Sequence, residues 1–293
     1  MPNVSIVTCT YNRGALLKET IASVLDQRYQ DFEYIIVDDG SDDDTASMVA
    51  SFADKRIQYV FHSRTGGHLS VLRNFAETYC HGRYVAYVDS DDLWEPTKLE
   101  RQIEAMEASP QIGFSFTDIV TFDDSGVLRP SLYQKQGSYS GNVFEKMLRN
   151  ELIICHTTLV IRRSCLLQVG PMDESLHSGD HDRVFFLSRF FDAFILYEPL
   201  VRVRKHQGNT TGSNTLSLRL LKEHHQTLNK LQEQQLISAS DYKRAMIITS
   251  YSFGMQAMQM TEWAVARSYF KQCLSYQIMH PKALFRLLAL LTK

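Results

Sequence analysis

The sequence is poor in features that mark several classes of protein. Its five cysteines lie far apart and include no Cys-x-x-Cys pair, so neither a disulfide framework nor a zinc site is indicated. No apolar run approaches the roughly 18 residues of a membrane-spanning helix. The first residues also lack the basic and apolar segments of a secretory signal peptide. These absences favour a folded protein of the reducing cytoplasm.

An excess of either charge is also absent. The chain has 31 Lys and Arg against 33 Asp and Glu, which gives a formal net charge of −2. Such a balance provides no overall attraction to nucleic acid, so we expect no nucleic-acid partner, and any phosphate must be recognised by local groups. At 293 residues the chain is longer than a typical domain, which predicts one large domain or a domain with an appendage.

Strand and helix patterns alternate along the first hundred residues. Four apolar runs bounded by turn residues predict strands: Val4–Thr8, Ile35–Val37, Ile57–Phe61 and Tyr84–Val88. Segments with helical spacing of apolar residues lie between them: Ala15–Leu25, Thr45–Phe52 and Leu69–Tyr79. This alternation predicts a doubly wound α/β sheet with its chemistry at the carboxyl ends of the strands.

The pattern changes after residue 94. It predicts two helices (Pro96–Ala108 and Asp180–Phe191), two extended segments (Ile112–Phe122 and His156–Arg162) and a loop at Gly137–Gly141. Four further helices are predicted at the end of the chain: Leu216–Leu236, Asp241–Met260, Glu262–Gln277 and Pro281–Leu291. The polar run His206–Asn214 is the predicted linker. We therefore expect an α/β domain over residues 1–215 and a helical extension over residues 216–293.

The first acidic cluster follows the predicted strand Ile35–Val37. Asp38 and Asp39 are adjacent like charges that contribute nothing to the turn at Gly40, so they are candidates for accepting hydrogen bonds from a ligand. The acids at positions 42–44 also fit a simpler interpretation, as helix caps and solvated charge.

The second cluster, residues 89–92 (Asp-Ser-Asp-Asp), follows the strand Tyr84–Val88. Its carboxylates need a positive partner, and no Lys or Arg occurs nearer in the sequence than Arg83 and Lys98. Mg²⁺ or Mn²⁺ with oxygen ligands is an economical partner. A solvated acidic loop that caps the following helix is the alternative.

The third cluster, residues 178–182 (Ser-Gly-Asp-His-Asp), opens a predicted helix, where one of its acids could act only as a cap. Basic residues gather at 202–206, and the glycine-containing turn Arg64–His68 precedes a helix that carries Arg73. A basic group at such a helix start suits a phosphate, although either group could also be an ordinary solvated face.

Five motifs occur in an order and at a spacing that resemble family 2 glycosyltransferases. In chain order they are Val4–Arg13, Ile35–Asp42, Arg73-Asn74, Tyr84–Asp92 and Gly179–Asp182. The resemblance covers residues 3 to about 215. It implies a GT-A (Rossmann-like) fold with a mixed, mainly parallel sheet in a catalytic domain, followed by the helical extension. It also implies metal-assisted, inverting transfer of a sugar from a UDP-type donor to an acceptor hydroxyl, in polysaccharide or glycan assembly.

The resemblance also implies the residues of the nucleotide pocket. The pocket is expected around Thr8, Thr10 and Tyr11 at the end of the first strand. Asp39 is expected to accept the N3–H of a uracil-type base, with Asp38 beside it.

The resemblance assigns the diphosphate region to the second cluster and to Arg73. Arg73 is expected over the base or the diphosphate, and Asp89 with Ser90 on the ribose or sugar side. Asp91, with Asp89, is expected to hold Mn²⁺ or Mg²⁺ between the phosphates.

The reaction itself is assigned to the third cluster. Asp180 is the expected general base and Asp182 the second candidate, because the family more often has Glu-Asp where this chain has Gly-Asp. Arg204, Lys205 and His206 are expected to close over the diphosphate. The implied partners are a nucleotide-sugar donor and a glycan or lipid-linked acceptor.

Two other functions are compatible with parts of the sequence. The Asp-Ser-Asp at 89–91 superficially matches the nucleophile motif of haloacid-dehalogenase-like phosphatases, although 88 residues precede it. A nucleotide-sugar-binding scaffold without turnover is the non-enzymatic alternative. The apolar and basic tail Pro281–Lys293 either packs on the catalytic domain or makes a peripheral contact with the inner membrane face.

Overall fold

The computed structural model describes residues 1–206, 209, 214–277 and 280–290. Most of the predicted linker, and the last three residues of the tail, lie outside the described residues. The chain divides into two compact units. The first comprises Met1–Val143 with Ile154–Gln207, and the second comprises Phe144–Ile153 with Gly208–Lys293.

The described part of the first unit is built on a ten-stranded sheet. Its strands are β1 Val4–Thr10, β2 Phe32–Asp38, β3 Ile57–Phe61, β4 Tyr84–Tyr87, β5 Leu93–Trp94, β6 Ile112–Asp123, β7 Gly126–Arg129, β8 Ser138–Gly141, β9 Val160–Arg162 and β10 Asp192–Arg204. The helices of the chain are α1 Gly14–Leu25, α2 Thr45–Ala50, α3 Leu69–Glu77, α4 Lys98–Ala108, α5 Phe144–Leu148, α6 Arg163–Val169, α7 Asp180–Phe190, α8 Asn214–Glu233, α9 Ala239–Gln259, α10 Trp263–Tyr276 and α11 Pro281–Ala289.

The sheet is mixed, as predicted. Its order is β3-β2-β1-β4-β9-β6-β10-β5, with β7 on β6 and β8 on β10. The first four strands in this order are parallel to one another, and so are β6 and β10, whereas the remaining pairings are antiparallel. The predicted α/β alternation produces the parallel part, because parallel neighbours need a crossover connection such as α1, α2 or α3.

Three predictions about the second half of the first unit were wrong in detail. The strand β10 was not predicted, because Pro199 interrupts its apolar pattern and its register with β6 shifts there. The segment Gly137–Gly141 is not a loop but contains β8, an exposed strand of four residues without an apolar run. The segment His156–Arg162 begins with a 3-10 turn at His156–Thr158 before β9 starts.

The second unit is helical in its described part, and its four long helices match the predicted ones within a few residues. A core of buried residues joins α9, α10 and α11: Ala257, Ala266, Phe270, Cys273, Ala283 and Leu290. The segment Phe144–Ile153, which contains α5, also belongs to this unit. Among the described residues, no helix is both long enough and apolar enough to cross a membrane.

Candidate active site

The carboxyl ends of β1, β2 and β4 meet at one edge of the sheet. β1 lies between β2 and β4, and Thr10 is the register partner of Asp38. This pairing brings the first and second acidic clusters to neighbouring strand ends, where ligands bind in open α/β sheets.

One side of this edge offers a flat aromatic face beside a buried carboxylate. Asp39 accepts hydrogen bonds from the amides of Thr65 (2.6 Å) and Gly67 (2.8 Å), and it forms an ion pair with Arg64. The Arg64 guanidinium lies 3.5 Å from the centroid of the Tyr11 ring. A planar base that donates an N–H could take the place of this guanidinium, because it offers the same stacking surface and the same type of donor.

Two of the expected pocket residues make hydrogen bonds within the fold. The Thr8 hydroxyl is 2.9 Å from the Tyr34 hydroxyl and donates to the Val88 carbonyl at 2.9 Å. Asp38 accepts from the Ser41 amide at 2.7 Å and from the Tyr59 hydroxyl. Both side chains therefore hold strand ends and the following turn. The Thr10 hydroxyl is buried without a hydrogen-bond partner.

Arg73 connects the second cluster with the third. It lies on α3, is only 4% exposed, and pairs with the Asp180 carboxylate and with Asp89 Oδ1 at 3.5 Å. It also donates to the carbonyl of Ser178 at 3.3 Å. The structure therefore places Arg73 between two carboxylates and not beside Tyr11, where Arg64 lies instead.

This arrangement keeps Asp180 ionised. Burial is the largest single influence and by itself would raise the pKa of Asp180, but the Arg73 guanidinium and smaller contributions from neighbouring groups such as Ser178 together outweigh it, so the pKa is lowered. Burial also works against the charge on Arg73, and the attraction of Asp180 and Asp89 raises the pKa of Arg73 above its usual value. Asp182 is 6% exposed, and it is Asp180 that the structure places against Arg73.

Asp89 and Asp92 hold their protons more tightly than ordinary carboxyl groups. Burial, together with Asp91 and Asp180, raises the pKa of Asp89 to about 6, although Arg73 opposes the rise. Burial and the neighbouring carboxylates also raise the pKa of Asp92 well above its usual value. Asp92 accepts from the Arg204 amide at 3.1 Å, which ties it to the end of β10.

The positive partners of the second cluster come from distant parts of the sequence. Asp91 Oδ2 is 2.8 Å from Arg13 Nη1 and 3.0 Å from His206 Nε2. The Ser90 hydroxyl accepts from Arg13 at 3.3 Å. The positive partners of this cluster are therefore brought to it by the fold, although no Lys or Arg lies nearer in the sequence than Arg83 and Lys98.

Two side chains at this place are of types that bind divalent cations. Asp91 and His206 present a carboxylate oxygen and an imidazole nitrogen side by side, with Asp89 on the same loop as Asp91. Among the residues that the structure describes, no group of three His, Cys, Asp or Glu side chains is arranged as a metal site. A cation held here by two protein ligands would complete its coordination with phosphate oxygens, as Mg²⁺ and Mn²⁺ do with nucleotides.

The other basic residues before the linker have structural partners. Arg204 pairs with Glu19 at 2.5 Å and donates to the Asp91 carbonyl at 3.3 Å, so it fixes the loop that carries the second cluster. The Lys205 amide donates to the Phe122 carbonyl at 2.7 Å, and the residue is exposed. The His206 side chain contacts the carboxylate of the cluster directly, because its Nε2 lies 3.0 Å from Asp91 Oδ2.

Two further residues belong to the site although the sequence did not identify them. Arg13 contacts Asp91, and His156 Nε2 lies 3.7 Å from Asp180 Oδ1. Arg13 lies within the first motif, so the motif itself was a signal. His156 lies between an apolar run and two threonines, outside the five motifs, and carries no signal in the sequence.

Comparisons with known proteins agree with this geometry. The model of the family "Glycosyl transferase family 2" matches residues 5–170. An uncharacterized glycosyltransferase of Rickettsia bellii is 37% identical over 178 residues, which are 60% of this chain but 25% of that protein. TuaG of Bacillus subtilis, a putative teichuronic acid biosynthesis glycosyltransferase, is 36% identical over 198 residues, which are 67% of this chain and 75% of TuaG.

A third relative is named with its substrates. WfgD of Escherichia coli, a UDP-Glc:alpha-D-GlcNAc-diphosphoundecaprenol beta-1,3-glucosyltransferase, is 32% identical over 159 residues, which are 54% of this chain and 60% of WfgD.

Solved structures share the fold at low sequence identity. Residues 1–349 of TarS of S. aureus, in complex with UDP-GlcNAc, match with a TM-score of 0.68 and 16% identity over 92% of this chain and 81% of that one. The mannosyltransferase PcManGT of Pyrobaculum calidifontis, in complex with GDP-Man and Mn²⁺, matches with a TM-score of 0.63 and 18% identity over 99% and 85%.

These findings remove the phosphatase alternative. The segment proposed there as a nucleophile motif lies inside the matched family region, and its Asp91 is paired with Arg13 and His206. The family match covers more than half of the chain, and the fold is that of the GT-A neighbours. The chain therefore belongs to glycosyl transferase family 2 and has the GT-A fold.

Proposed function

We propose that this protein transfers a single sugar, with inversion, from a UDP-sugar to a hydroxyl group of a glycan or lipid-linked acceptor. The names of two relatives support the setting. TuaG is assigned to teichuronic acid biosynthesis, and WfgD is named with a UDP-Glc donor and a diphosphoundecaprenol-linked acceptor. The role that we propose is therefore in surface polysaccharide or glycan assembly.

The position of Asp180 is the observation that carries this proposal. Asp180 begins α7, yet its carboxylate pairs with Arg73 from α3, which also reaches Asp89 beyond β4. A quarter of the Asp180 side chain is accessible (26%), and its lowered pKa keeps it ionised. An ionised carboxylate in reach of an acceptor hydroxyl can take the proton as that oxygen attacks the anomeric carbon, typically for a gain of about 10²–10⁴-fold in rate.

The donor would lie along the strand ends from Tyr11 to Asp91. A uracil ring on the Tyr11 face would donate its N3–H to Asp39 and displace the Arg64 guanidinium. Asp91 and His206, with Asp89, would hold Mn²⁺ or Mg²⁺. Such a cation, when bound, neutralises the charge that grows on the leaving diphosphate.

A thermal-shift panel followed by turnover assays tests the class of reaction. The panel uses UDP, UDP-glucose, UDP-GlcNAc and GDP-mannose, each with and without Mn²⁺. We expect the uridine compounds to raise the Tm, with a larger rise in the presence of Mn²⁺. In Asp91→Ala the additional rise with Mn²⁺ should disappear.

Turnover separates the enzyme from a binding scaffold. The donor that gives the largest shift is incubated with GlcNAc-diphosphoundecaprenol or with water as acceptor, and UDP release is measured. A nucleotide that binds without any release of UDP would support the non-enzymatic alternative. The absence of any shift with the uridine compounds would refute the proposed donor.

Asp180 and Asp182 form a matched pair for identifying the base. We expect Asp180→Asn to retain donor binding in the thermal-shift assay and to lose at least 100-fold in kcat, which corresponds to removal of general base catalysis. Asp182→Asn, two residues further along α7, should retain most of kcat. Loss of activity in Asp182→Asn alone would identify Asp182 as the base.

We also propose that α11 contacts the inner membrane face, where a lipid-linked acceptor would be found. The helix exposes Leu284, Phe285 and Leu288, and it carries Lys282 and Arg286. An apolar face with basic residues favours the interface of an anionic bilayer.

In liposome flotation with anionic vesicles, the double substitution Phe285→Ser and Leu288→Ser should abolish binding. Leu167→Ser, an equally exposed apolar residue in the first unit, is the control, and equal flotation of all three proteins would refute the contact.

A further inference from the structure

His156 is a buried histidine beside the proposed base. It opens the 3-10 turn His156–Thr158, and its side chain is only 4% exposed. Its ring packs on Tyr87 with 4.3 Å between the ring centroids, and its Nε2 lies 3.7 Å from Asp180 Oδ1. Both ring nitrogens are buried without a hydrogen-bond partner. Buried polar atoms in native proteins are almost always satisfied, so an orphaned pair next to a reactive carboxylate calls for a functional reason.

The imidazole is held in its neutral form. Burial is the main cause, and Arg73 adds to it, so that the pKa of His156 falls to about 3 although Asp180 opposes the shift. Arg183, the remaining charged group that acts on the ring, also lowers the pKa. A neutral imidazole carries one N–H donor and one acceptor nitrogen. It can therefore donate to a carboxylate without taking the proton that the carboxylate is meant to receive.

Arg73 interacts with two carboxylates. It pairs with Asp180 and also approaches Asp89, which faces the proposed donor side. An anionic diphosphate near Asp89 would compete with Asp180 for this guanidinium. If Arg73 turns towards the donor, Asp180 loses its strongest partner, and His156 Nε2 is a donor within a shift of less than about 1 Å of hydrogen-bonding distance.

We infer that His156 is a positioning residue for Asp180. Its Nε2–H donates to Asp180 Oδ1 when Arg73 engages the donor, and this bond leaves the second carboxylate oxygen directed at the acceptor hydroxyl. Tyr87 supports the ring from behind and fixes the direction of the bond. This inference rests on the proposed function, in which Asp180 accepts the proton of the acceptor.

Two substitutions at position 156 separate positioning from packing. His156→Met introduces an apolar side chain of similar size and removes the donor. His156→Gln restores an N–H group close to the position of Nε2. For the UDP-sugar that the wild type turns over, we expect His156→Met to lower kcat by about 10- to 100-fold, which is typical of residues that orient a reactive group. The donor KM should change by less than about 2-fold, and His156→Gln should recover most of kcat.

The Asp180→Asn background supplies the decisive control. In that background His156→Met should cause no further loss, because the residue acts through Asp180. Full kcat in a folded His156→Met protein would overturn the inference, and so would an equal loss in the Asp180→Asn background or a loss confined to the donor KM. Failure of the proposed function is distinguishable, because the wild type itself would then release no UDP from either UDP-sugar in the panel.

Discussion

The buried imidazole of His156 should make the stability of the first unit depend on pH. In the unfolded chain a histidine has a pKa of about 6.5, whereas burial lowers the pKa of His156 to about 3 in the fold. Between these two values the unfolded chain binds a proton that the folded chain does not. The free energy of unfolding therefore rises with pH through this window and falls as the solution is acidified below about pH 6.5.

The size of the effect follows from the two pKa values. At pH 5 the folded imidazole is still neutral, and the unfolded one is about 1.5 pH units below its pKa. At about 1.4 kcal/mol per unit, His156 should lower the free energy of unfolding by about 2 kcal/mol between pH 7 and pH 5. His156→Gln removes the titrating group, so the variant should lose about 2 kcal/mol less than the wild type over this range.

Urea unfolding at pH 7, 6 and 5 measures the difference. The chain has two tryptophans, and Trp94 lies in the core of the first unit, so a Trp263→Phe background makes the fluorescence report that unit. His225 in the second unit, whose pKa burial lowers to about 4, is a matched control. His225→Gln should leave the Trp94 transition unchanged. Parallel pH profiles for wild type and His156→Gln would refute the reasoning.

Four further predictions test other parts of the structure. Burial lowers the pKa of Lys98 well below its ordinary value, so below that ordinary value the unfolded chain binds the proton more readily than the folded chain, and Lys98 should make wild-type stability rise with pH. Urea titrations of Lys98→Met over the same pH range should show a flatter profile. Gly82→Ala would place a Cβ 2.6 Å from the Ser5 amide nitrogen and should lower the free energy of unfolding by about 1–3 kcal/mol, since the clash involves backbone; an unchanged urea midpoint would contradict it. Tyr11→Ala should weaken UDP binding by about 10-fold in calorimetry, because an aromatic stacking face contributes about 1–3 kcal/mol per base, whereas undiminished affinity would remove Tyr11 from the pocket. Arg13→Gln should tighten Mn²⁺ binding in the presence of UDP, because it removes the positive charge that pairs with Asp91 at 2.8 Å. Electron paramagnetic resonance titration measures the affinity, and weaker Mn²⁺ binding in the variant would contradict this prediction.

The sheet illustrates which strands a sequence can predict. The parallel strands β1, β2 and β4 are buried on both faces, so their apolar runs predicted them within a few residues. The strand β10 is longer than any of these, yet Pro199 and its register shifts hide the pattern. Its place beside β6 depends on strand partners about 80 residues earlier in the chain. Local hydrophobic patterns contain no information about such distant partners.

The residues of the candidate site also fall into those that the sequence predicted and those that it did not. The acidic clusters were recognised because carboxylates at strand ends are uncommon and their order matched a family. Their partners were not, because Arg13 approaches Asp91 from 78 positions earlier in the chain and His206 from 115 positions later. Arg64 was noted as a candidate for phosphate, whereas the structure sets it on Tyr11 and Asp39.

The sequence alone determined the fold class, the family and the residues that carry charge at the strand ends, because these depend on local patterns and motif order. The tertiary structure decided how those charges are balanced: Arg73 and its neighbours together lower the pKa of Asp180, burial keeps His156 neutral, and Thr8 and Asp38 make hydrogen bonds within the fold. The physical reason is that ionisation and hydrogen bonding depend on distance and burial in space, which separation along the chain does not specify.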